Sequence, residues 1–163
     1  DFRASERTFQ LIAQVAGRCG RGADAGVAII QSFVPETPAL VHAAANDFEG
    51  FARIELADRR RFGLPPWRRM VRVVVRHQDE ERARSHARAL AKALQPQANA
   101  HAVVLREPAP CPLARIADRW RFQIELLADG AAPLQALLAS ARSSGTLVPG
   151  ELVAVDVDPV VLM

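Results

Sequence analysis

The stretch WRRMVRVVVRH, residues 67–77, decides the fold of the second half of the chain. Val71, Val73 and Val75 fall on one side of an extended chain, because successive side chains of a strand point to opposite faces. This period of two predicts a strand with one buried face. Arg72 then points away from the valines, so the strand carries charge on the face that it does not bury.

Working outward from this strand, the remaining elements alternate in type. They predict the order β-α-β-β-α-β, which is typical of a ferredoxin-like α/β sandwich. We expect the last strand beside the first, the first beside the third, and the third beside the second, with both helices on one face. After the first strand, the predicted elements are a helix over 79–94, a strand over 101–107, a proline-rich loop over 108–116, a strand over 118–128, a helix over 131–142 and a strand over 151–159.

A domain boundary is predicted just before the first strand. The pair Pro65–Pro66 cannot continue a helix, and the residue before a proline is biased toward extended backbone. The boundary separates a domain over residues 1–64 from a ferredoxin-like domain over residues 65–163.

Burying the valines gathers arginines on the opposite sheet face. Trp120 and Phe122 are expected in the core rather than as stacking platforms, because apolar residues share their side. Two interpretations of the charged face stay open: a solvated face with Asp–Arg pairs that involve Asp156 and Asp158, or a face that binds phosphates. The candidate DNA-binding residues are Arg68, Arg72, Arg76, Arg119 and Arg121.

Composition excludes several classes of protein. The 163-residue chain has a net charge of +3, and Lys92 is the one lysine among 21 basic side chains. Cys19 and Cys111 form no CxxC pair, so neither a zinc site nor a disulfide framework is expected. No apolar run approaches the length of a membrane span. We expect a cytoplasmic protein that contacts no membrane and holds no metal.

The first half of the chain divides into three predicted elements. Residues 27–34, VAIIQSFV, have the pattern of a buried strand that ends at Pro35. One helix is predicted over 38–61, although Gly50 weakens it. Ahead of both lies ERTFQLIAQVAGRCGRG, residues 6–22, in which Phe9 and Ile12 begin the apolar stripe of a helix.

A second stripe on this first helix contains Gln14, Arg18 and Arg21, with Gly17 and Gly20 between them. The glycines remove side-chain bulk next to the arginines, which suits close approach to another surface. The same residues are also compatible with an ordinary helix end, where arginine complements the helix dipole and glycine stops the helix.

The segment QVAGRCGR, residues 14–21, fits the pattern Q-x-x-G-R-x-x-R and resembles the last conserved motif of superfamily 2 helicases and translocases. The longer stretch over residues 1–22 resembles one family, the primosomal protein N′ or PriA-type replication-restart DNA helicases. Three further segments are similar to that family and occur in its order: GLPPW at 63–67, RWRFQI at 119–124 and VDVDP at 155–159.

The resemblance implies specific roles. Arg18 and Arg21 match the arginines that reach the γ-phosphate of ATP as arginine fingers, and Gln14, Gly17 and Gly20 match the positions beside the nucleotide. The first domain would then be the C-terminal part of a RecA-like second lobe. The implied partners are DNA forks and single strands, other primosome proteins and single-strand-binding proteins.

The cofactors that the resemblance implies belong to a longer parent protein. The chain contains neither the Gly-x-x-x-x-Gly-Lys-Ser/Thr loop that cradles phosphates nor an acidic box for Mg²⁺. We therefore expect a C-terminal fragment of a 3′ to 5′ ATP-dependent DNA helicase, with ATP, Mg²⁺ and a zinc module in the parent and no cofactor or ATPase activity in this chain. The alternative is a stand-alone nucleic-acid- or protein-binding module. Such a module would have no use for the motif over residues 14–21.

Overall fold

The computed structural model describes residues 1–19 and 26–160. The chain divides into two compact units. We call residues 2–62 the helical unit, and residues 63–163 together with Asp1 the sheet unit. The division lies close to the predicted boundary at 64 and 65, while the assignment of the helical unit to a RecA-like lobe stays a prediction. None of the helices in the described residues is long and apolar enough to cross a lipid bilayer.

In its described residues, the helical unit contains three helices, α1 (Ala4–Arg18), α2 (Pro38–Ala44) and α3 (Phe48–Arg61). The rings of Phe9 in α1 and Phe51 in α3 stack with centroids 4.5 Å apart. Stacked and offset aromatic pairs add to the free energy gained by burial alone. Phe9 and Ile12 of the stripe predicted for α1 are therefore buried as expected. The core of the unit, in its described residues, includes Phe9, Ile12, Ala39, Ala43 and Phe51.

The single helix predicted over 38–61 is wrong, because the chain breaks it at Asn46 and Asp47. Asn46 has a positive φ of 52°, a conformation that asparagine tolerates better than most residues. Asp47 then caps α3, and its carboxylate accepts a hydrogen bond of 2.9 Å from the Gly50 N–H. A Cβ added to Gly50 would lie 2.1 Å from Asp47 Oδ2. The glycine thus leaves room for the cap.

The strand predicted over residues 27–34 is also wrong. The segment has no regular secondary structure, and Val27, Ile29 and Phe33 are exposed. An apolar run becomes a strand only beside another strand, and the described residues of the helical unit contain none.

The sheet unit contains β1 (Arg69–His77), α4 (Glu80–Ala100), β2 (Val104–Leu105), β3 (Ala109–Ile116), β4 (Arg119–Ala128), α5 (Ala131–Ser143) and β5 (Val153–Val157). The strand order is β2-β4-β1-β5, and all of these pairs are antiparallel. This is the predicted ferredoxin-like order. β3 is an additional strand, which pairs with the edge of β4 that also carries β2.

The core of the sheet unit lies between one sheet face and the two helices. Val71, Val73 and Val75 are fully buried there, together with Leu94 of α4 and Leu137 of α5. The buried valine face is therefore confirmed. Phe122 also lies in this core, and Trp120 packs against it, as predicted for both aromatic residues.

The prediction of a loop over residues 108–116 is wrong, because most of this segment forms β3. Proline lacks the N–H that a central strand must donate, but it is tolerated at a sheet edge. Pro110 pairs opposite Phe122, and the register shifts between Pro110 and Arg115. The strand predicted over residues 101–107 is also shorter than expected, because only Val104 and Leu105 pair with β4.

Helix α4 runs to Ala100, although the prediction ended it at Leu94. Asp79 caps its start and accepts a 2.8 Å hydrogen bond from the Arg82 N–H. Pro96 lies inside the last turns, where its missing N–H removes one helical hydrogen bond. Ala98 is fully buried two residues before the end, so packing against the core offsets that loss.

Candidate functional site

The described part of the helicase-like motif, residues 14–19, lies at the end of α1, and most of it is exposed. Gln14, Gly17 and Arg18 are exposed, while Phe9 and Ile12 on the opposite side are buried. This separation follows from the helical period, which places positions i, i+3 and i+4 on one face. The structure therefore brings three of the five motif residues to one surface. Gly20 and Arg21 lie outside the described residues.

The space next to Arg18 is open. No described heavy atom lies within 4 Å of a Cβ added at Gly17, so packing inside the described chain does not require glycine there. Cys19 follows directly, and its Sγ donates a 3.4 Å hydrogen bond to the Val15 carbonyl. The Cys19 thiol is thus bound to the backbone of its own helix and does not cover Gln14, Gly17 or Arg18.

The second face of the sheet, opposite the helices, is less open than predicted. Arg72 is only 5% exposed and Arg121 only 9%. The sheet face that was expected to be open is therefore not open at these two arginines. The same face contains the buried side chains of Met70, Val74 and Leu127. Apolar residues therefore share this face with the arginines, and the face is partly covered.

Acidic partners neutralise much of the predicted arginine set. Arg72 Nη2 lies 3.3 Å from Asp156 Oδ2, and Arg68 Nε lies 3.0 Å from Asp129 Oδ1. The predicted alternative of Asp–Arg pairs is thus found for Asp156. The sequence analysis did not identify Asp129 as a partner, because it is distant from Arg68 along the chain and belongs to neither strand.

Asp158 pairs with an arginine outside the predicted set. Its carboxylate forms an ion pair with Arg69, at the start of β1. The hydrogen bond from the Arg69 guanidinium holds the pKa of Asp158 below its usual range. This carboxylate is therefore committed to a structural ion pair, which disfavours a role in acid–base chemistry.

Three of the five predicted DNA-binding arginines surround one cleft, which we call the arginine cleft. Arg76, Arg119 and Arg121 line it, and its volume is about 530 Å³. Arg119 forms an ion pair with Glu151, which also lines the cleft. No ion pair involves Arg76 in residues 1–19 and 26–160. Arg68 and Arg72 lie elsewhere on the sheet unit, so the structure does not bring all five together.

Cys111 lies buried close to the arginines of the second face. Burial raises the pKa of its thiol, and the guanidinium groups of Arg121, Arg72 and Arg76 act in the opposite direction. Burial is the larger effect, so the thiol stays protonated near neutral pH. No group of three or more His, Cys, Asp or Glu residues in the described part of the chain is placed to hold a metal ion.

The fold and the arginine-lined face define the class of the sheet unit as a ferredoxin-like domain with a basic cleft. The family model described as the primosomal protein N C-terminal domain matches residues 60–160. The chain belongs to this family. The match covers every strand and helix from β1 to β5, and so agrees with the resemblance seen in the sequence.

Several bacterial relatives carry the name replication restart protein PriA. The relative from Treponema pallidum is 41% identical over 160 residues, which is 98% of this chain and 24% of the relative. The relative from Bacillus subtilis is 36% identical over 138 residues, or 85% of this chain and 17% of the relative. The relative from Chlamydia muridarum is 30% identical over 160 residues, or 98% of this chain and 21% of the relative. The chain thus spans about a quarter or less of the length of these proteins.

Proposed function

We propose that this chain is the C-terminal part of an ATP-dependent DNA helicase that restarts replication at stalled forks. The proposal is carried by the exposed stripe of Gln14, Gly17 and Arg18 on α1, in a chain whose relatives are named replication restart proteins. A stand-alone binding module has no use for Gln14, Arg18 and Arg21 in this spacing.

In this proposal the helical unit contributes arginine fingers to an ATP site. Arg18 and Arg21 would contact the γ-phosphate, where a guanidinium stabilises charge that develops in the transition state. The exposed guanidinium of Arg18 and the open space beside Gly17 fit a phosphate group. Gln14 would orient the nucleotide one turn earlier on the same side of α1. Hydrolysis of ATP at this site would supply the free energy for unwinding.

The sheet unit has a separate role, as the part that contacts DNA or other proteins of the restart machinery. The implied partners are forks, single strands, primosome proteins and single-strand-binding proteins. A compact unit with its own core suits such a role, because it presents a rigid charged surface. The arginine cleft is the open part of the face opposite the valines, and it is the surface that this unit offers for such contacts.

The test uses a parent protein that contains this chain together with the phosphate loop. Arg18→Ala and Arg21→Ala should each lower kcat for DNA-stimulated ATP hydrolysis by on the order of 10³ while DNA binding persists. Arg53→Ala is the matched control, since Arg53 is an exposed arginine of α3 in the same unit. Near-normal ATPase rates in both motif variants would contradict the proposal and favour the stand-alone binding module.

A further inference from the structure

The second face of the sheet differs in charge balance between its two ends. Near one end, Arg72 is paired with Asp156, and Glu125 accepts from Arg106 at 3.0 Å. At the other end, the register of β1 and β4 places Arg76 directly opposite Arg121. Like charges on directly opposed residues destabilise a sheet. The opposition of Arg76 and Arg121 therefore favours binding of an anion at this end of the face.

The arginine cleft lies at this positively charged end. Three guanidinium groups line it, and the one carboxylate among its lining residues, Glu151, is held by Arg119. The buried Nε of Arg76 has no hydrogen-bond partner in the described chain. A buried donor without a partner is costly, so an oxygen ligand in the cleft would remove that cost.

The cleft is also partly preorganised. Arg121 is held between the strands, and its Nη1 donates to the Leu113 carbonyl at 3.4 Å. The charged groups that influence the pKa of the buried Cys111 thiol are all guanidinium groups, those of Arg121, Arg72 and Arg76. Arg76 and Arg121 therefore both lie near this buried thiol, in agreement with their opposed positions in the strand register.

We propose that the arginine cleft binds a backbone phosphate of single-stranded DNA. This inference rests on the helicase role proposed above and assigns its DNA contact to one end of one sheet face. The planar guanidinium fork matches the geometry of phosphate oxygens. Ile116 and Ala117 add an apolar rim to the same cleft, and Ile116 is exposed. A nucleotide joins a compact anion to an apolar sugar and base, which suits this combination of surfaces.

The proposal assigns no base-reading role to the cleft. Arginine contacts to phosphates position a strand but carry no sequence information. Binding should therefore show little sequence preference and fall steeply with added salt. Each phosphate neutralised on a single strand contributes about −0.7 to the slope of log K against log salt concentration.

The experiment measures binding of a short fluorescein-labelled oligothymidylate to the 163-residue chain at several salt concentrations. Arg76→Gln and, separately, Arg119→Gln should each weaken binding about tenfold and reduce the salt slope by about 0.7. Arg119 lies at the cleft rim, so its variant remains informative if the more buried Arg76 variant folds poorly. Circular dichroism confirms that each variant keeps its secondary structure.

Arg115→Gln is the matched control. Arg115 belongs to the same β3–β4 hairpin, but it pairs with Trp120, and its guanidinium lies 5.6 Å from the centroid of that ring. Both side chains therefore belong to the helix-covered side of the sheet. The control removes the same charge without touching the cleft, so its affinity and salt slope should stay close to those of the unmodified chain.

Three outcomes would overturn the proposal. Unchanged binding in both cleft variants would mean that DNA does not bind in the arginine cleft. An equal loss of affinity in the Arg115 control would mean that only the net charge of the chain affects binding. Competition by oligoglutamate as strong as that by unlabelled oligothymidylate would assign the cleft to an acidic protein segment instead. None of these substitutions touches the arginine fingers, so failure here is distinguishable from failure of the ATPase test with Arg18→Ala.

Discussion

Arg59 of α3 donates a hydrogen bond of 2.8 Å from Nη2 to Glu6 Oε2 of α1. The Arg59 side chain is almost buried, and its Nε also donates to Glu55 Oε1 at 2.8 Å. Its guanidinium lies 5.2 Å from the centroid of the Phe2 ring. One buried cation thus joins the first and last helices of the helical unit.

Removing the charge of Glu6 should destabilise this unit. In Glu6→Gln, Arg59 keeps Glu55 but loses a charged acceptor, so we expect the free energy of unfolding to fall by about 1–2 kcal/mol. Urea denaturation followed by circular dichroism measures the change. Glu36→Gln serves as the control, because Glu36 is exposed in an irregular segment and its loss should cost less than about 0.5 kcal/mol. Equal effects in the two variants would contradict a structural role for the Glu6–Arg59 pair.

The same carboxyl predicts how stability depends on pH. The hydrogen bond from Arg3, helped by that from Arg59, lowers the pKa of Glu6 from 4.5 to about 2. The folded state therefore binds this proton more weakly than the unfolded state does. The stabilising contribution is complete above pH 4.5 and is lost as the pH falls toward about 2. Urea titrations across this range should show a steeper loss of stability for the unmodified chain than for Glu6→Gln. Parallel pH profiles would refute the assignment.

Much of the fold of the sheet unit could be predicted from the sequence, because its pattern is local. Val71, Val73 and Val75 alternate cleanly, so β1 and its buried face follow from the period of two. The segment over 27–34 has an equally apolar pattern but forms no strand, because pairing depends on a neighbouring strand and not on the segment itself. Periodicity identifies the face of an element, whereas pairing is a tertiary property.

The candidate sites show the same limit. The exposed stripe of Gln14 and Arg18 could be predicted, since it depends only on the helical period within α1. The burial of Arg72 and the pairing of Arg68 with Asp129 could not, because both depend on residues brought together by the sheet. A face assignment from alternation says which side a residue is on, but not whether that side is covered.

The cap of α3 leads to an unusual prediction for the stability of Gly50 variants. Gly→Ala inside a helix ordinarily stabilises by about 0.5–1 kcal/mol. Here the new Cβ would lie 2.1 Å from Asp47 Oδ2 and would displace the capping carboxylate. We expect Gly50→Ala to be more favourable by about 1 kcal/mol in the Asp47→Ala background than in the unmodified chain. A double-mutant cycle measures this coupling, and a coupling of zero would mean that the cap does not need the glycine.

The central strand β4 should be the most sensitive part of the sheet unit. Ile124 is fully buried between the sheet and the helices, so Ile124→Ala should cost about 2–5 kcal/mol and Ile124→Val about 0.5–1.5 kcal/mol. Ile116→Ala, at an exposed position of β3, should cost far less. Thermal and urea unfolding of the three variants provide the comparison. A similar cost for the buried and the exposed isoleucine would contradict the described core.

The 163-residue chain alone should not hydrolyse ATP. An arginine finger stabilises charge on a phosphoryl group that other residues already hold in line, and the sequence lacks the loop that cradles phosphates. Its one lysine, Lys92, lies within α4 and not after a glycine-rich turn. Release of inorganic phosphate, measured with and without oligothymidylate, should therefore stay at the rate of buffer alone. The parent protein is the positive control for the assay. Phosphate release that rises with chain concentration and disappears in Arg18→Ala would contradict this prediction. It would mean that this chain forms a complete nucleotide site from its own residues, on which Arg18 acts.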